Sequence, residues 1–322
     1  MMPSSGAGPR RVLVTGGAGF IGAHLVRALL ETGDEITVVD NLSRGRRQAL
    51  PEDPRVRLLI GDIADPAFLT AAVRPWQPQL VYHLAAIHYI PECLAHPAEA
   101  LRVNVAGTRQ VLEAIRTPAL QRAVLASSGA VYAPSNRPVT ERDAVGPMEN
   151  YGTSKLAAEA LWRTAAQAMP QAVWLVARLF NAYGPGETNP HLIPHLVQEL
   201  KQGRTVRLGD LAARRDFTYV ADIVSALVAL GQLDGRFEIF NVGSGTAASV
   251  ADVVRALEAA LGESITITQE AARRRPVDRP FLCADTGRLT QATGWRARWT
   301  LRDGLRAWLE AEALLPRRGP GA

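Results

Sequence analysis

Lysine is almost missing from this chain. Of its 36 basic residues only two are lysine, Lys155 and Lys201. Arginine serves wherever a permanent cation suffices, whereas lysine is a compact ammonium whose pKa shifts readily. A lysine kept at position 155 therefore points to a place that needs such a group. Cysteine is as scarce. Cys93 and Cys283 form neither a disulfide framework nor a metal-ligand spacing, so the expectation is no metal and a reducing cytoplasm. No apolar run reaches the ~18 residues that a membrane-spanning helix needs. Residues 1–9 lack the charged and apolar segments of a secretion signal and read as a short disordered tail. Despite a net charge of +5 and a pI of 9.6, the arginines are scattered among acids. They form no basic stripe and no aromatic stacking platform, so nucleic acid is not an expected partner. Local arginine clusters suit small anionic substrates better.

What is present is alternation. Short β-branched runs at residues 11–15, 35–39, 56–60, 79–83, 123–127 and 173–178 read as strands. Helical patterns lie between them at 20–32, 66–73, 97–116 and 150–168. This rhythm predicts an α/β fold, a doubly wound parallel sheet of Rossmann type that binds ligands at the carboxyl ends of its strands. After about residue 181 the rhythm gives way to Pro, Gly and polar residues. Shorter helical patterns come next at 193–202, 221–230, 250–261 and 301–313. The expected division is a dinucleotide domain over 10–180 and a smaller mixed α/β substrate lobe over 181–322, with some later elements returning to the first domain.

Gly16, Gly19 and Gly22 come after the first strand and open the first helix. The first glycine permits the turn, the second lets a pyrophosphate approach the helix N-terminus, and the third allows close helix packing. Phe20 and Ile21 lie inside this turn. At the end of strand two stand Asp40, Asn41 and Ser43. A carboxylate there accepts bonds from the adenosine ribose and disfavours a 2′-phosphate, which selects NAD. Arg44 and Arg46 keep NADP open. Asp62 and Ile63 come after strand three, facing the adenine, and Leu84, Ala85 and Ala86 after strand four as small residues against the dinucleotide. His88 and Tyr89 line the same region. Tyr151 and Lys155 are four apart, on one face if the segment is helical. The ammonium then stabilises a phenolate and lowers the tyrosine pKa from ~10 toward neutrality, making a general base.

These residues, with Asn104, Ser127-Ser128, Arg178 to Pro185, Arg215-Asp216-Phe217 and Asn241-Val242-Gly243, span the chain from Gly16 to about Asp285. Together they are similar to the extended short-chain dehydrogenase/reductase family, in its NAD-dependent nucleotide-sugar epimerase/dehydratase branch. The resemblance implies a catalytic trio of Ser128, Tyr151 and Lys155. Asn104, Ser127 and Phe180 are implied as cofactor neighbours. Asn181, Leu192, Ile193, Arg215, Arg275 and Asp278 are implied as contacts for the nucleotide diphosphate and ribose. The run Arg273-Arg274-Arg275 leaves that assignment open by a residue. A homodimer is implied through the helices at 97–116 and 150–168.

The reaction is read from the two residues after Ser128. The family's 4,6-dehydratases carry an Asp-Glu pair there, and its decarboxylases a Glu at the second place. Here the positions are Gly129 and Ala130, which exchange no protons. Hydride removal and return at C4 is left, which implies a 4-epimerase acting on UDP-glucose and UDP-galactose or their acetamido analogues, with NAD held tightly. A nucleotide-sugar 4-ketoreductase, another epimerase or dehydratase of the branch, and a dinucleotide-sensing regulator are the alternatives. Gly186, where uronic-acid epimerases often carry Arg, argues against a uronic acid. Leu282 leaves room for an acetamido group, and the loop before Arg215 leaves uracil and thymine open.

Overall fold

The computed structural model describes residues 8–270 and 279–316. Chain order runs β1 (Arg11–Thr15), α1 (Phe20–Glu31), β2 (Glu35–Asp40), β3 (Val56–Ile60), α2 (Pro66–Ala72), β4 (Leu80–His83), α3 (Ile90–Ala95) and α4 (Pro97–Leu101). After a π-helical run, Arg102–Gly107, come α5 (Thr108–Ala114), β5 (Arg122–Ser128), α6 (Asn150–Ala168) and β6 (Val173–Leu179). The second half adds β7 (Asn181–Tyr183), α7 (Leu192–Leu200), β8 (Thr205–Leu208), β9 (Arg214–Tyr219), α8 (Val220–Leu230) and β10 (Phe237–Val242). It closes with β11 (Ala247–Ser249), α9 (Val250–Leu261), β12 (Thr266–Gln269), β13 (Phe281–Leu282), α10 (Gly287–Thr293) and α11 (Leu301–Ala311).

Seven strands form one parallel sheet in the order β10-β6-β5-β4-β1-β2-β3. Its central strands are buried along nearly their whole length, because helices cover both faces. The core is accordingly double. On one side α1 and α8 pack with Leu25, Leu29, Ile223 and Leu227. On the other α2, α5 and α6 pack with Leu69, Val111 and Trp162. The strand order reverses between β1 and β4, which opens the crevice where such sheets take ligands.

Residues 97–114 form one uninterrupted helical run, as their pattern predicts, but not a regular one: α4 passes into α5 through a π-helical stretch at Arg102–Gly107. The wider turn aims the buried side chain of Asn104 at the loop after β4 rather than along the helix face. The outermost strand β10 pairs with β6 from Phe237↔Trp174 to Val242↔Leu179, so the large sheet draws on chain from both sides of residue 180. The remaining strands form a small sheet of β11, β9 and β13 with β7 on β9, plus the pair β12–β8. Among the described residues no helix is long and apolar enough to cross a membrane.

Candidate active site

A single cavity of about 1500 Å³ runs along the carboxyl ends of the strands and under the smaller lobe. It exceeds the ~300–1,000 Å³ of an ordinary small-molecule pocket, which leaves room for two ligands. Every described residue assigned above to cofactor or substrate lines it, Asn104 excepted. Arg275 and Asp278 lie outside the described residues.

The three glycines have different reasons to be glycine. Gly16 has φ +71°, and a Cβ there would sit 2.7 Å from Ala85 N. At Gly22 a Cβ would meet Gly16 O at 2.2 Å. Both are demanded by the protein itself. At Gly19 the only neighbour is Gly16 O, at 3.3 Å. That position opens on the cavity, at an α1 N-terminus with no side-chain cap and no acid in its first turn. Free N–H groups and a bare backbone fit a pyrophosphate. Asp40 accepts bonds from Ala18 N at 3.0 Å and Leu42 N at 2.8 Å. Burial pushes its carboxyl above the usual range, against the pull of those two N–H groups. Arg44 is turned to Glu92 of α3, at 2.5 Å. Asp62 accepts from Ala64 N and is bridged to Arg102, at 2.9 and 2.7 Å. The residues present therefore fit NAD.

Ser128 ends β5, where its Oγ accepts from Ala130 N at 3.1 Å. Tyr151 stands in the first turn of α6, whose N-cap is Glu149. The Glu149 carboxylate takes Tyr151 N at 2.7 Å and Gly152 N at 3.1 Å. A Cβ on Gly152 would lie 2.5 Å from Ala130 O. The missing side chain lets α6 press against the segment after Ser128 and brings phenol to hydroxyl. The expected lowering of the Tyr151 pKa is not found. Burial pushes the phenol above its ordinary value; the Ser128 hydroxyl pulls it down, and Glu149 pushes it up. The correction follows from dielectric. Lys155 is buried as well, which pushes its own pKa down to about 8 against the attraction of Glu159, so desolvation is the largest cause at both groups.

Two residues implied as cofactor neighbours do other work. Asn104 Oδ1 accepts from Ile87 N at 2.8 Å, while its amide donates to Ile87 O and to Ser154 Oγ, both at 2.9 Å. It holds the loop after β4 to α6 and faces away from the cavity. Ser127 reaches the cavity wall, but its hydroxyl donates to Glu159. Glu159 in turn takes Arg178 Nε and Nη2 at 3.0 and 2.7 Å, and the guanidinium lies 4.7 Å from the Tyr132 ring centre. His83, between Thr15 Oγ1 at 2.6 Å and Thr108 Oγ1 at 2.9 Å, is kept neutral: burial and then Lys155 push it down to about 3.

The opposite wall comes from the smaller lobe. Asn181 on β7, Leu192 and Ile193 opening α7, and Arg215 on β9 all reach the cavity. Phe180 packs where a Gly129 Cβ would be 3.1 Å away. His88 turns from the dinucleotide side toward Asn189, with Nε2 at 3.1 Å from Nδ2. Arg279 was not singled out by sequence. It is buried and donates to Tyr132 O at 2.6 Å and Ala130 O at 2.9 Å, fixing the chain just after Ser128. Glu149 was missed too, because glutamate is not among the residues that usually mark an N-cap. Nothing local distinguishes Arg279 among so many arginines.

Known proteins resemble this chain along nearly its whole length. The profile described as "NAD dependent epimerase/dehydratase family" matches residues 12–243. The UDP-glucose 4-epimerase of Azospirillum brasilense is 35% identical over 327 residues, 95% of this chain and 92% of that protein. The structure of the Thermus thermophilus UDP-glucose 4-epimerase in complex with NAD is 31% identical. It covers 93% of this chain and 98% of its own, with a TM-score of 0.83. MoeE5 in complex with UDP-glucuronic acid and NAD is 32% identical over 95% of this chain and 100% of that one, with a TM-score of 0.84. The match over residues 12–243 and the 35% identity along nearly the whole length agree: this chain belongs to the NAD-dependent epimerase/dehydratase family.

Proposed function

We propose that the chain is a UDP-hexose 4-epimerase that interconverts UDP-glucose and UDP-galactose through a transient 4-keto sugar. One observation carries the reading. Ser128, Tyr151 and Lys155 line the same cavity as the dinucleotide cradle, and the positions after Ser128, Gly129 and Ala130, hold no acid. Glu149 offers no substitute, because its carboxylate caps α6.

Gly19, the α1 N-terminus and Asp40 would hold NAD, which when bound would accept the C4 hydride and return it to the other face of the sugar. The chain's own residues manage the proton. Tyr151 takes it from the C4 hydroxyl and gives it back, with Ser128 sharing the hydrogen bond. Lys155 keeps a positive charge beside the reacting edge while it is protonated. A positively charged nicotinamide held here would favour ionised Tyr151, against the burial described above. Asn181, Leu192, Ile193 and Arg215 hold the nucleotide diphosphate, a task suited to guanidinium and to helix N–H groups. The working division is a cofactor domain to residue 180, rejoined by β10 and α8, with the rest of the second half as a substrate lobe. A homodimer pairing α4–α5 and α6 is supported by Leu101 of α4 and Leu94 of the adjoining α3, 46% and 56% exposed.

The test is incubation with UDP-glucose or UDP-galactose and no added cofactor, with the C4 epimer followed by chromatography. Conversion is expected. Failure across a panel of UDP- and dTDP-hexoses would overturn the reading, and NADPH consumption with a 4-keto sugar would favour a ketoreductase.

A further inference from the structure

Glu187 is a buried carboxylate with no arginine or lysine set against it among the described residues. Its side chain is 4% exposed. Oε1 accepts from the backbone N–H and side-chain amide of Asn189, at 2.7 and 3.0 Å. Oε2 lies 3.8 Å from His88 Nε2. His191 completes the group, its ring centre 5.9 Å from that of His88. A carboxylate removed from water needs a cation close by. An imidazole supplies that charge only with a second proton; as a neutral ring it supplies a lone pair instead.

Donor atoms of His88, Glu187 and His191 all lie within 4.8 Å of one another. Two imidazoles and a carboxylate are the donor set of zinc and of neighbouring divalent metals. Bonds of ~2.0–2.1 Å to a tetrahedral ion put its donors roughly 3.3 Å apart. The 3.8 Å between Glu187 and His88 is closed by a small turn of the imidazole away from Asn189. The donors come from two walls: His88 from the loop after β4, Glu187 and His191 from the loop before α7. All three line the cavity, so an ion there keeps an open side, as metal sites that take an outside ligand do.

We propose that His88, Glu187 and His191 bind a divalent transition-metal ion of the zinc class that ties the two loops together and keeps an open position toward the cavity. The proposal is independent of which sugar the enzyme turns over. It is tested on tag-free, full-length protein stripped with a chelator and titrated with Co²⁺, read by visible d–d absorption, then displaced with Zn²⁺ and counted by elemental analysis. Saturable binding of an ion per chain is expected. His88→Gln, a change at a half-exposed ring, and His191→Ala should each weaken binding by about a hundredfold, with circular dichroism unchanged. Co²⁺ taken up without a saturable d–d spectrum, or bound equally well by both variants, overturns the site. So does a stripped protein that refuses metal while His88→Gln lowers its Tm only at acid pH, which would assign the cluster to a proton instead.

Discussion

The two walls of the cavity are built in opposite ways. On the cofactor side the surface is backbone: Gly16 turns with φ +71°, Gly22 admits Gly16 O, and Gly19 is bare. On the substrate side it is side chains on loops and short strands, namely Asn181, Glu187, His191 and Arg215. One wall recognises by removing atoms, the other by reaching out with them. At the glycine turn a dinucleotide meets backbone and is intolerant of a single added Cβ, while Asp40 is the side chain placed to read its ribose. The second wall can change partners by substitution.

The comparison breaks most visibly at the centre, where both walls meet. Tyr151→Phe should lower kcat by about 10²–10⁴-fold, the range for a lost general acid–base group, while NAD co-purifies as before. Loss of NAD instead would make Tyr151 structural. Gly16→Ala should destabilise the fold by about 2–4 kcal/mol, from positive φ together with a clash against Ala85. Gly19→Val should leave the fold within about 1 kcal/mol and abolish NAD retention. Equal loss of Tm in the two variants would erase the distinction between them, and urea titration with cofactor release reads both.

Lys155 gives a smaller and oppositely signed effect. Burial lowers its folded pKa to about 8 from an ordinary 10.5. Its charge therefore weakens the fold fully below pH 8, and the penalty is relieved as pH rises from 8 to 10.5. Lys155→Met should raise stability at pH 7 by about 1–3 kcal/mol while removing turnover, and the gain should shrink toward pH 10. A variant less stable at pH 7 would show that Glu159 needs the ammonium. The smallest change is expected at the exposed pair Arg44–Glu92. Arg44→Ala should shift stability by less than about 1 kcal/mol and leave the preference for NAD over NADP intact. A switch to NADP would mean that Asp40 is not what selects the cofactor.

Legibility in the sequence divides along the same line. The parallel sheet, the glycine turn and Asp40 were readable because each rests on a local backbone requirement. The strands begin and end within a residue or so of their expected limits. The Tyr151 pKa was misjudged because a pair four apart on a helix says nothing of burial, and burial governs here. Asn104 and Ser127 belong to networks that join β4, β5 and α6, a relation visible only after folding. β10 was missed because the seventh strand of the sheet lies 58 residues beyond β6, past a lobe with its own strands. Arg279 acts through two carbonyls, for which sequence has no marker.

The π-helical run at Arg102–Gly107 sets a rule about length rather than identity. Deleting one residue there would restore an ordinary helix and rotate everything beyond it by about 100°. Asn104 could not then reach Ile87 and Ser154 together, whatever residues surrounded it. Descendants of this chain can vary the exposed positions of that stretch freely, but gaps in it should be purged, so an indel map would mark it as sharply as any catalytic side chain.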